Sequence, residues 1–183
     1  MTDFNEKEVL ARAIEGDTES FSAIYEEFVE RIYNYIYYRV GNSFDAEDLT
    51  AKVFHRALTN IGKYKNRGVP FSAWLYRIAH NLVANWYRDN SRRKEVPIED
   101  HMNLQQQSNL PEQELVHNQD NEKLLFVIRK LPPKRQQLLI LKYVERMSNA
   151  EIAMIMGRSE GAIKSLYHRT LVLLRKELNR LDE

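Results

Sequence analysis

The sequence has no cysteine among its 183 residues. This absence excludes disulfide bridges, thiolate zinc sites and a cysteine nucleophile together. Long apolar runs are also missing, because the stretch LLILKYV at 138–144 is far shorter than the roughly 20 residues that cross a bilayer. The N-terminal segment MTDFNEKEVL is polar and acidic and lacks the basic and apolar parts of a signal peptide. We therefore expect a cytoplasmic protein that does not insert into a membrane.

Signals of catalysis are also scarce. The chain has neither a His-Glu-x-x-His motif nor a glycine-rich phosphate loop. Its five histidines are scattered along the sequence, at His55, His80, His101, His117 and His168. We therefore expect a protein that is not an enzyme and that needs neither a metal nor another cofactor.

Acidic residues are almost absent from one block of the chain. Residues 51–94 carry ten lysines and arginines against Asp89 alone, whereas residues 1–50 carry four against twelve aspartates and glutamates. The rest of the chain, 95–183, has thirteen of each sign. Charges can cluster by chance, but blocks of this length favour two partners of opposite charge, such as a nucleic acid and a basic protein surface.

The alternating pattern of strands is absent, and apolar residues recur at helical spacing instead. Asp17 and Asp45 are suited to cap the starts of helices, and Gly16 and Gly41 are suited to end them. The sequence thus predicts an all-α fold with helices at about 6–15, 18–40, 46–60, 70–90, 118–130, 133–146, 149–156 and 160–180.

One segment, 95–117, breaks the helical pattern. It is rich in Gln, Asn and acidic residues, contains Pro97 and Pro111, and has no sustained apolar stripe. A loop packed on the surface is one alternative, but 23 residues without structure are unusual inside one compact domain. We therefore predict two small helical domains, at 1–94 and 118–183, that are joined by a flexible linker.

The segment NAEIAMIMGRSEGAIKSLYHR (149–169) has the pattern of a helix-turn-helix. Ala153 is small where the second helix crosses the first, Gly157 tolerates the positive φ of the turn, and Ile163 faces the core. Ser159 can cap the second helix. An ordinary helical hairpin with a solvated face is the alternative interpretation.

In a helix-turn-helix the second helix enters the major groove of DNA. Its outward positions here are all polar or cationic, which suits contacts to phosphates and base edges. These positions are Lys164, Ser165, His168 and Arg169. The pattern predicts duplex DNA binding but does not distinguish a repressor from other DNA-binding proteins.

A second pattern lies in FSAWLYRIAHNLVANWYRDNSRRK (71–94), where aromatic residues alternate with amides and cations. Aromatic rings can stack on unpaired bases, amides can read base edges and cations can hold the backbone. Helical spacing indicates that some of the aromatic residues belong to the core, Trp74 above all, among Trp74, Tyr76, Trp86 and Tyr87. Asn81 is therefore preferred as a base-reading residue over the aromatics.

The third pattern is the acidic segment DAEDLTAKVF (45–54), which carries three carboxylates. Carboxylates are favoured near the start of a helix by the helix dipole, which is one explanation. An exposed acidic surface for a basic protein partner is the other, and residue chemistry does not decide between them.

Together the segments DAEDLTAKVFHRAL, FSAWLYRIAHNLVANWYR and the C-terminal helix-turn-helix resemble the extracytoplasmic-function (ECF) group of the sigma-70 family. The resemblance runs from about residue 8 to residue 180 and covers sigma regions 2 and 4. It implies a subunit that binds core RNA polymerase and directs promoter recognition and melting. Its implied partners are the polymerase, promoter DNA and an anti-sigma factor.

The resemblance also assigns roles to individual residues. It implies that Asp45, Glu47 and Asp48 bind the β′ clamp of the polymerase. It assigns binding of the −10 element to Tyr64, Lys65, Arg77, Asn81, Asn85 and Arg88. It assigns binding of the −35 element to Lys164, Ser165, His168 and Arg169.

Two departures from the family pattern affect these roles. Family members often carry Gln and an acidic residue where this chain has Ala51 and Lys52, and arginine where it has Leu171. The alternative function is a free-standing helix-turn-helix regulator that binds duplex DNA without polymerase. Such a regulator has no need of the basic, aromatic helix at 70–94, which therefore favours the sigma factor.

Overall fold

The computed structural model describes residues 5–65, 68–93 and 122–181, and within these ranges the chain is helical without a strand. The predicted all-α fold is therefore confirmed. The predicted linker 95–117 and the preceding Lys94 lie outside the described residues. The helices are α1 (Glu6–Ile14), α2 (Thr18–Val40), α3 (Ser43–Asn60), α4 (Phe71–Arg93), α5 (122–130), α6 (Pro133–Tyr143), α7 (Asn149–Met156) and α8 (Glu160–Asn179), with a short 3-10 helix at Ile61–Lys63.

Most helix ends lie where the capping residues predict them. The Asp17 carboxylate accepts a hydrogen bond from the Ser20 amide at 3.2 Å, and Gly41 ends α2 with a φ of 76°. At the start of α7, Ser148 and Glu151 form the reciprocal bonds of a capping box. The predicted limits of α2 and α7 are confirmed because their end signals are unambiguous.

The start of α3 differs from the prediction. Asn42, not Asp45, is the capping residue, since its side-chain oxygen accepts the Asp45 amide at 3.1 Å. The helix therefore begins at Ser43, and Asp45 lies inside its first turn. Asparagine and aspartate cap helices about equally well, so the first suitable residue after Gly41 takes the position.

Helices α1–α4 form the N-terminal bundle, and α5–α8 form the C-terminal bundle. The N-terminal core contains fully buried Ile32, Ile36 and Leu75. The C-terminal core includes Leu138 and Ile163, both with no exposed surface. Each bundle thus contributes its own buried apolar residues.

The two bundles also contact each other. Helix α4 packs against α7, and α2 packs against α6. Buried residues from both bundles form one continuous cluster, which extends from Leu10 to Ile163. This arrangement places the helix-turn-helix next to the basic helix α4.

The turn of the helix-turn-helix depends on the backbone of Gly157, which has a φ of 63°. A Cβ at this position would meet no atom within 4 Å, so the substitution Gly157→Ala tests backbone conformation alone. We expect it to lower the free energy of unfolding by about 1–2 kcal/mol, measured by urea denaturation. Gly161→Ala is the matched control, because Gly161 is helical and also has open space. Equal effects of the two substitutions would contradict this account.

Candidate nucleic-acid interface

The predicted base-reading residues of α4 share one helix face. Arg77, Asn81 and Arg88 are exposed and Asn85 is half-buried, at the three- and four-residue spacing of neighbours on a helix. Arg88 lies 3.8 Å from the carboxylate of Asp89, and both side chains are open to solvent. The face thus presents the Arg88 guanidinium and the Asn81 amide, of the kind that bind phosphates and base edges. The Arg77 guanidinium donates to the carbonyl oxygens of Met154 and Ile155 in α7.

The loop before α4 has a different character from the prediction. Lys65 is exposed, but Tyr64 is half-buried and packs its ring 5.2 Å from the rings of Phe71 and Trp74. Its hydroxyl is buried and has no hydrogen-bond partner in the described part of the chain. Burial, and then the charge of Glu6, raises the pKa of Tyr64. Contact of Tyr64 with DNA stays a prediction, since its ring already packs against Phe71 and Trp74.

The aromatic residues of α4 belong largely to the core. Tyr76 has no exposed surface, and burial followed by the nearby Glu145 carboxylate raises its pKa. Tyr76 is therefore one of the aromatic residues that belong to the core. Trp86 and Tyr87 are half-buried and pack edge to face, with ring centroids 4.9 Å apart. Unpaired bases would thus meet mainly the amides and cations of this helix.

The outward face of α8 matches the prediction for a reading helix. Lys164, Ser165, His168 and Arg169 are all exposed on it. The Lys164 ammonium lies 3.0 Å from the Glu160 carboxylate, and both are too exposed for this pair to hold strongly. The Ser159 hydroxyl accepts the Ala162 amide at 3.2 Å and so fixes the start of the helix. The cations are therefore available for DNA on a rigid element.

The acidic residues of α3 form a third exposed surface. Glu47 and Asp48 are exposed and Asp45 is half-buried. Lys52 forms an ion pair with Asp48 one turn away, so part of its charge is neutralised within the helix. The acidic surface lies on the N-terminal bundle, apart from the cations of α8.

Comparison with known proteins shows the family of the whole chain. Residues 24–93 match the model for Sigma-70 region 2, and residues 121–174 match the model for Sigma-70, region 4. The chain is 33% identical to the ECF RNA polymerase sigma factor SigW of Bacillus subtilis, over 96% of this chain and 97% of that one. The chain belongs to the ECF group of the sigma-70 family.

Other similar proteins agree with this assignment. The ECF RNA polymerase sigma factor BldN of Streptomyces coelicolor is 37% identical over 93% of this chain, which spans 65% of the BldN sequence. The solved structure of CnrH in complex with the cytosolic domain of CnrY has a TM-score of 0.67 at 18% identity, covering 94% and 96% of the two chains. It supports the fold. This sigma factor thus acts in transcription initiation, and the alternative of a free-standing regulator is not supported.

Arg39, which the sequence did not single out, contacts His80 of α4. Arg39 is fully buried, and its Nη1 bonds the Tyr35 hydroxyl at 2.8 Å and lies 3.2 Å from Nδ1 of His80. Its Nε and Nη2 have no partner within the described residues. Because a guanidinium can only donate, Nδ1 of His80 must accept and the imidazole is neutral. The only sequence signal for burial of Arg39 is its place one turn after Tyr35 and Ile36.

His80 should make this sigma factor sensitive to acid. Burial, and then Arg39 and Lys134, lowers the pKa of His80 from 6.5 to about 4. At a pH between these two pKa values, His80 is protonated in the unfolded chain and neutral in the folded chain. The contribution to stability is therefore complete above pH 6.5 and is lost as the pH falls toward 4.

Denaturation by urea at several pH values between 7 and 4 would measure this effect. His80→Gln should flatten the pH dependence of the free energy of unfolding. His55→Gln, which changes an exposed histidine of α3, should not. If His80→Gln and the parent chain lost equal stability on acidification, another group would be responsible.

No group of three or more potential ligands among the described residues could hold a metal ion. None of the described helices is long and apolar enough to cross a bilayer.

Proposed function

We propose that this sigma factor binds the β′ clamp of core RNA polymerase through the start of α3. Its carboxylates Asp45, Glu47 and Asp48 supply a negative surface for a basic partner. The observation that supports the proposal is the segregation of charge, since the exposed acids of α3 and the exposed cations of α4 and α8 lie on separate helices. Surfaces of opposite sign on one chain fit a protein that holds polymerase and DNA together.

Helix α4 is proposed to bind the −10 element after its strands separate. Arg77 and Arg88 would hold the backbone, and Asn81 would read an unpaired base, with Asn85 beside it. Lys65 adds a cation, and Tyr64 supports the loop by packing. Amides suit this task because they can donate to and accept from the edges of a base at once.

Helix α8 is proposed to read the −35 element as a duplex. Lys164 would contact phosphate, and Arg169 could bind a guanine through two parallel hydrogen bonds. Ser165 and His168 offer shorter polar contacts on the same face. Leu171 is apolar, so a contact that other family members make with arginine is absent here.

The sigma factor itself is proposed to carry out no reaction and to need no cofactor, as its family is not catalytic. An anti-sigma factor is proposed as a further partner in the cytoplasm. This is supported by a solved neighbour, the sigma factor RpoE in complex with the anti-sigma factor NepR from Bartonella quintana. That structure has a TM-score of 0.63 at 21% identity, covering 91% of this chain and 100% of RpoE.

The domain limits are also proposed, with region 2 at 1–94, a linker at 95–117 and region 4 at 118–183. The family matches at 24–93 and 121–174 are compatible with this division. Limited proteolysis should cut first within 95–117 and release two folded fragments. First cleavage elsewhere would move the limits.

Transcription from genomic DNA by core polymerase tests the function directly. Core enzyme with the chain should start transcripts at a small set of sites that share upstream sequences, whereas core enzyme alone should not. Sequencing the 5′ ends of the transcripts would locate both promoter elements. Start sites that did not change on addition of the chain would refute the proposal.

A further inference from the structure

A cavity of about 470 Å³ lies where α4 approaches the start of α6 and the end of α7. Arg77 lines it from α4, Lys134 from the first turn of α6, and Arg158 from the turn that follows α7. None of the described residues that line this cavity is acidic. Pockets for small ligands commonly measure about 300–1,000 Å³. The cavity therefore combines room for a small molecule with three positive charges.

Two of these cations have no counter-ion in the described part of the chain. The side chains of Lys134 and Arg158 are exposed, and neither forms an ion pair with a described acidic residue. Lys134 also lies where the dipole of α6 adds partial positive charge. A solvated cation needs no partner, so exposure alone does not indicate a ligand. The indication comes from a buried cation that contacts the cavity wall.

That buried cation is Arg39, which has no exposed surface. Its described side-chain contacts are the Tyr35 hydroxyl and Nδ1 of His80, and both groups are neutral. Its Nε and Nη2 are buried without a hydrogen-bond partner among the described residues. A buried guanidinium without a counter-ion is costly. An anion held close to Arg39 would lower this cost.

His80 connects Arg39 to the cavity, because its side chain is part of the cavity wall. Arg39 donates to Nδ1, so the proton of the neutral imidazole is on Nε2, and this nitrogen is a donor. Burial, and then the charges of Arg39 and Lys134, lowers the pKa of His80 to about 4. These two charges act on His80 from α2 and from α6. The wall thus offers donors in a positive potential that no described carboxylate of the lining balances.

The end of α7 opposes this potential only weakly. The last carbonyl oxygens of a helix lack partners within it and carry partial negative charge. Two of them, those of Met154 and Ile155, accept hydrogen bonds from Nη2 and Nε of Arg77 at 2.9 and 3.3 Å. The two bonds neutralise this helix end and fix the guanidinium at the cavity wall, where its Nη1 can still donate to a ligand.

We propose that the cavity binds a small polyphosphate anion, whose phosphate oxygens are held by Arg77, Lys134 and Arg158. Phosphate oxygens accept short, charge-assisted hydrogen bonds from guanidinium and ammonium groups. Cations from three separate elements suit an anion with several phosphate groups better than a single phosphate. Ile155 and Met156 line the same cavity and offer apolar surface to the base of a nucleoside polyphosphate. Inorganic polyphosphate and a nucleotide share the phosphate chemistry, and the first test distinguishes them.

Isothermal titration calorimetry of the full chain tests the site with three probes, which are tripolyphosphate, ATP and GTP. Salt at about 0.15 M limits the Debye length to about 8 Å and so suppresses binding to scattered surface charges. We expect one tripolyphosphate to bind per chain. Tighter binding of ATP or GTP would identify a nucleotide as the ligand, and equal or weaker binding would identify the phosphate chain itself. Absence of saturable binding by all three probes would refute the site.

Substitutions locate the site on the chain. Lys134→Ala and Arg158→Ala should each weaken tripolyphosphate binding about tenfold, because each removes a charge-assisted contact. Lys176→Ala is the matched control, since it removes an exposed lysine of α8 that does not line the cavity. It should bind as the parent chain does. Equal losses in all three variants would show that overall charge alone attracts the probe, and would overturn the proposal.

The other candidate occupant of these cations is the DNA backbone. A chain that bound a single-stranded oligonucleotide through Lys134 and Arg158 but did not bind tripolyphosphate would refute the small-anion site. Neither residue belongs to the promoter contacts proposed above. Failure of this site therefore leaves the proposed function untouched, whereas failure of the proposed function would appear as the absence of specific transcripts with core polymerase and the parent chain.

Discussion

Asp45→Lys together with Asp48→Lys should abolish co-purification of the sigma factor with core RNA polymerase. Like charges placed against each other at an interface cost several kcal/mol, so two reversals lower the affinity by at least about a hundredfold. Asp48 is exposed and Asp45 is half-buried in the first turn of α3. The loss of favourable interaction with the helix dipole concerns Asp45 alone and is smaller, about 0.3–1 kcal/mol. The fold should therefore survive, which circular dichroism would verify.

The control for this experiment keeps the change in charge but moves it. Glu26 and Glu27 are exposed residues of α2, and Glu26→Lys with Glu27→Lys alters the net charge by the same amount. If the control binds the polymerase fully and the α3 variant does not bind it, α3 is the element that contacts the clamp. Equal losses would indicate that binding depends only on overall charge.

Lys52 offers a test in the opposite direction. Its ammonium pairs with Asp48, and other family members often carry an acidic residue here. Lys52→Gln should free the carboxylate and leave affinity for the polymerase equal or higher. Weaker binding would mean that Lys52 itself contacts the polymerase.

Local signals in the sequence were sufficient for most of the fold. Asp17, Gly41, Ser148 and Gly157 each determine a helix end through their own side chain or backbone, so neighbouring residues predict the result. The start of α3 was misplaced because Asn42 and Asp45 are both good capping residues. Local chemistry does not decide between two equal candidates three residues apart.

The burial of single side chains was harder to predict. Tyr76 stands beside the cationic Arg77 in the sequence, yet it is buried against Tyr35, with ring centroids 5.2 Å apart. Arg39 is buried although arginine is rarely so. Both lie on stripes of helical spacing, which shows that position on the helix outweighed the type of residue.

Contacts between the bundles could not be predicted from sequence at all. Arg77 and Met154 are separated by 77 residues, and Arg31 and Glu145 by 114. Pairings at such separations depend on how two folded bodies meet, and no periodicity within either body encodes it. The sequence therefore predicted the surfaces but not that contact between the bundles would place α4 against α7.

The two DNA-binding helices should act at different steps of initiation. Lys164→Ala should weaken binding of the holoenzyme to a closed promoter and lower its dependence on salt, because it removes a phosphate contact. Arg169→Ala should weaken the same step. If the arginine reads guanine, preference at one base pair should relax by about 1–3 kcal/mol. Filter binding or band-shift titration at two salt concentrations would measure these effects.

Asn81→Ala should leave closed-promoter binding nearly intact and lower open-complex formation instead. A template with a pre-melted bubble distinguishes the causes: a variant that fails only in melting is rescued, whereas one that has lost contact with an unpaired base is not. We expect no rescue, because Asn81 is an exposed amide on the face shared with Arg77 and Arg88. Identical defects of Asn81→Ala and Lys164→Ala at one step would contradict the division of labour. The cations of α8 suit the major groove of duplex DNA. The amides of α4 suit the edges of unpaired bases.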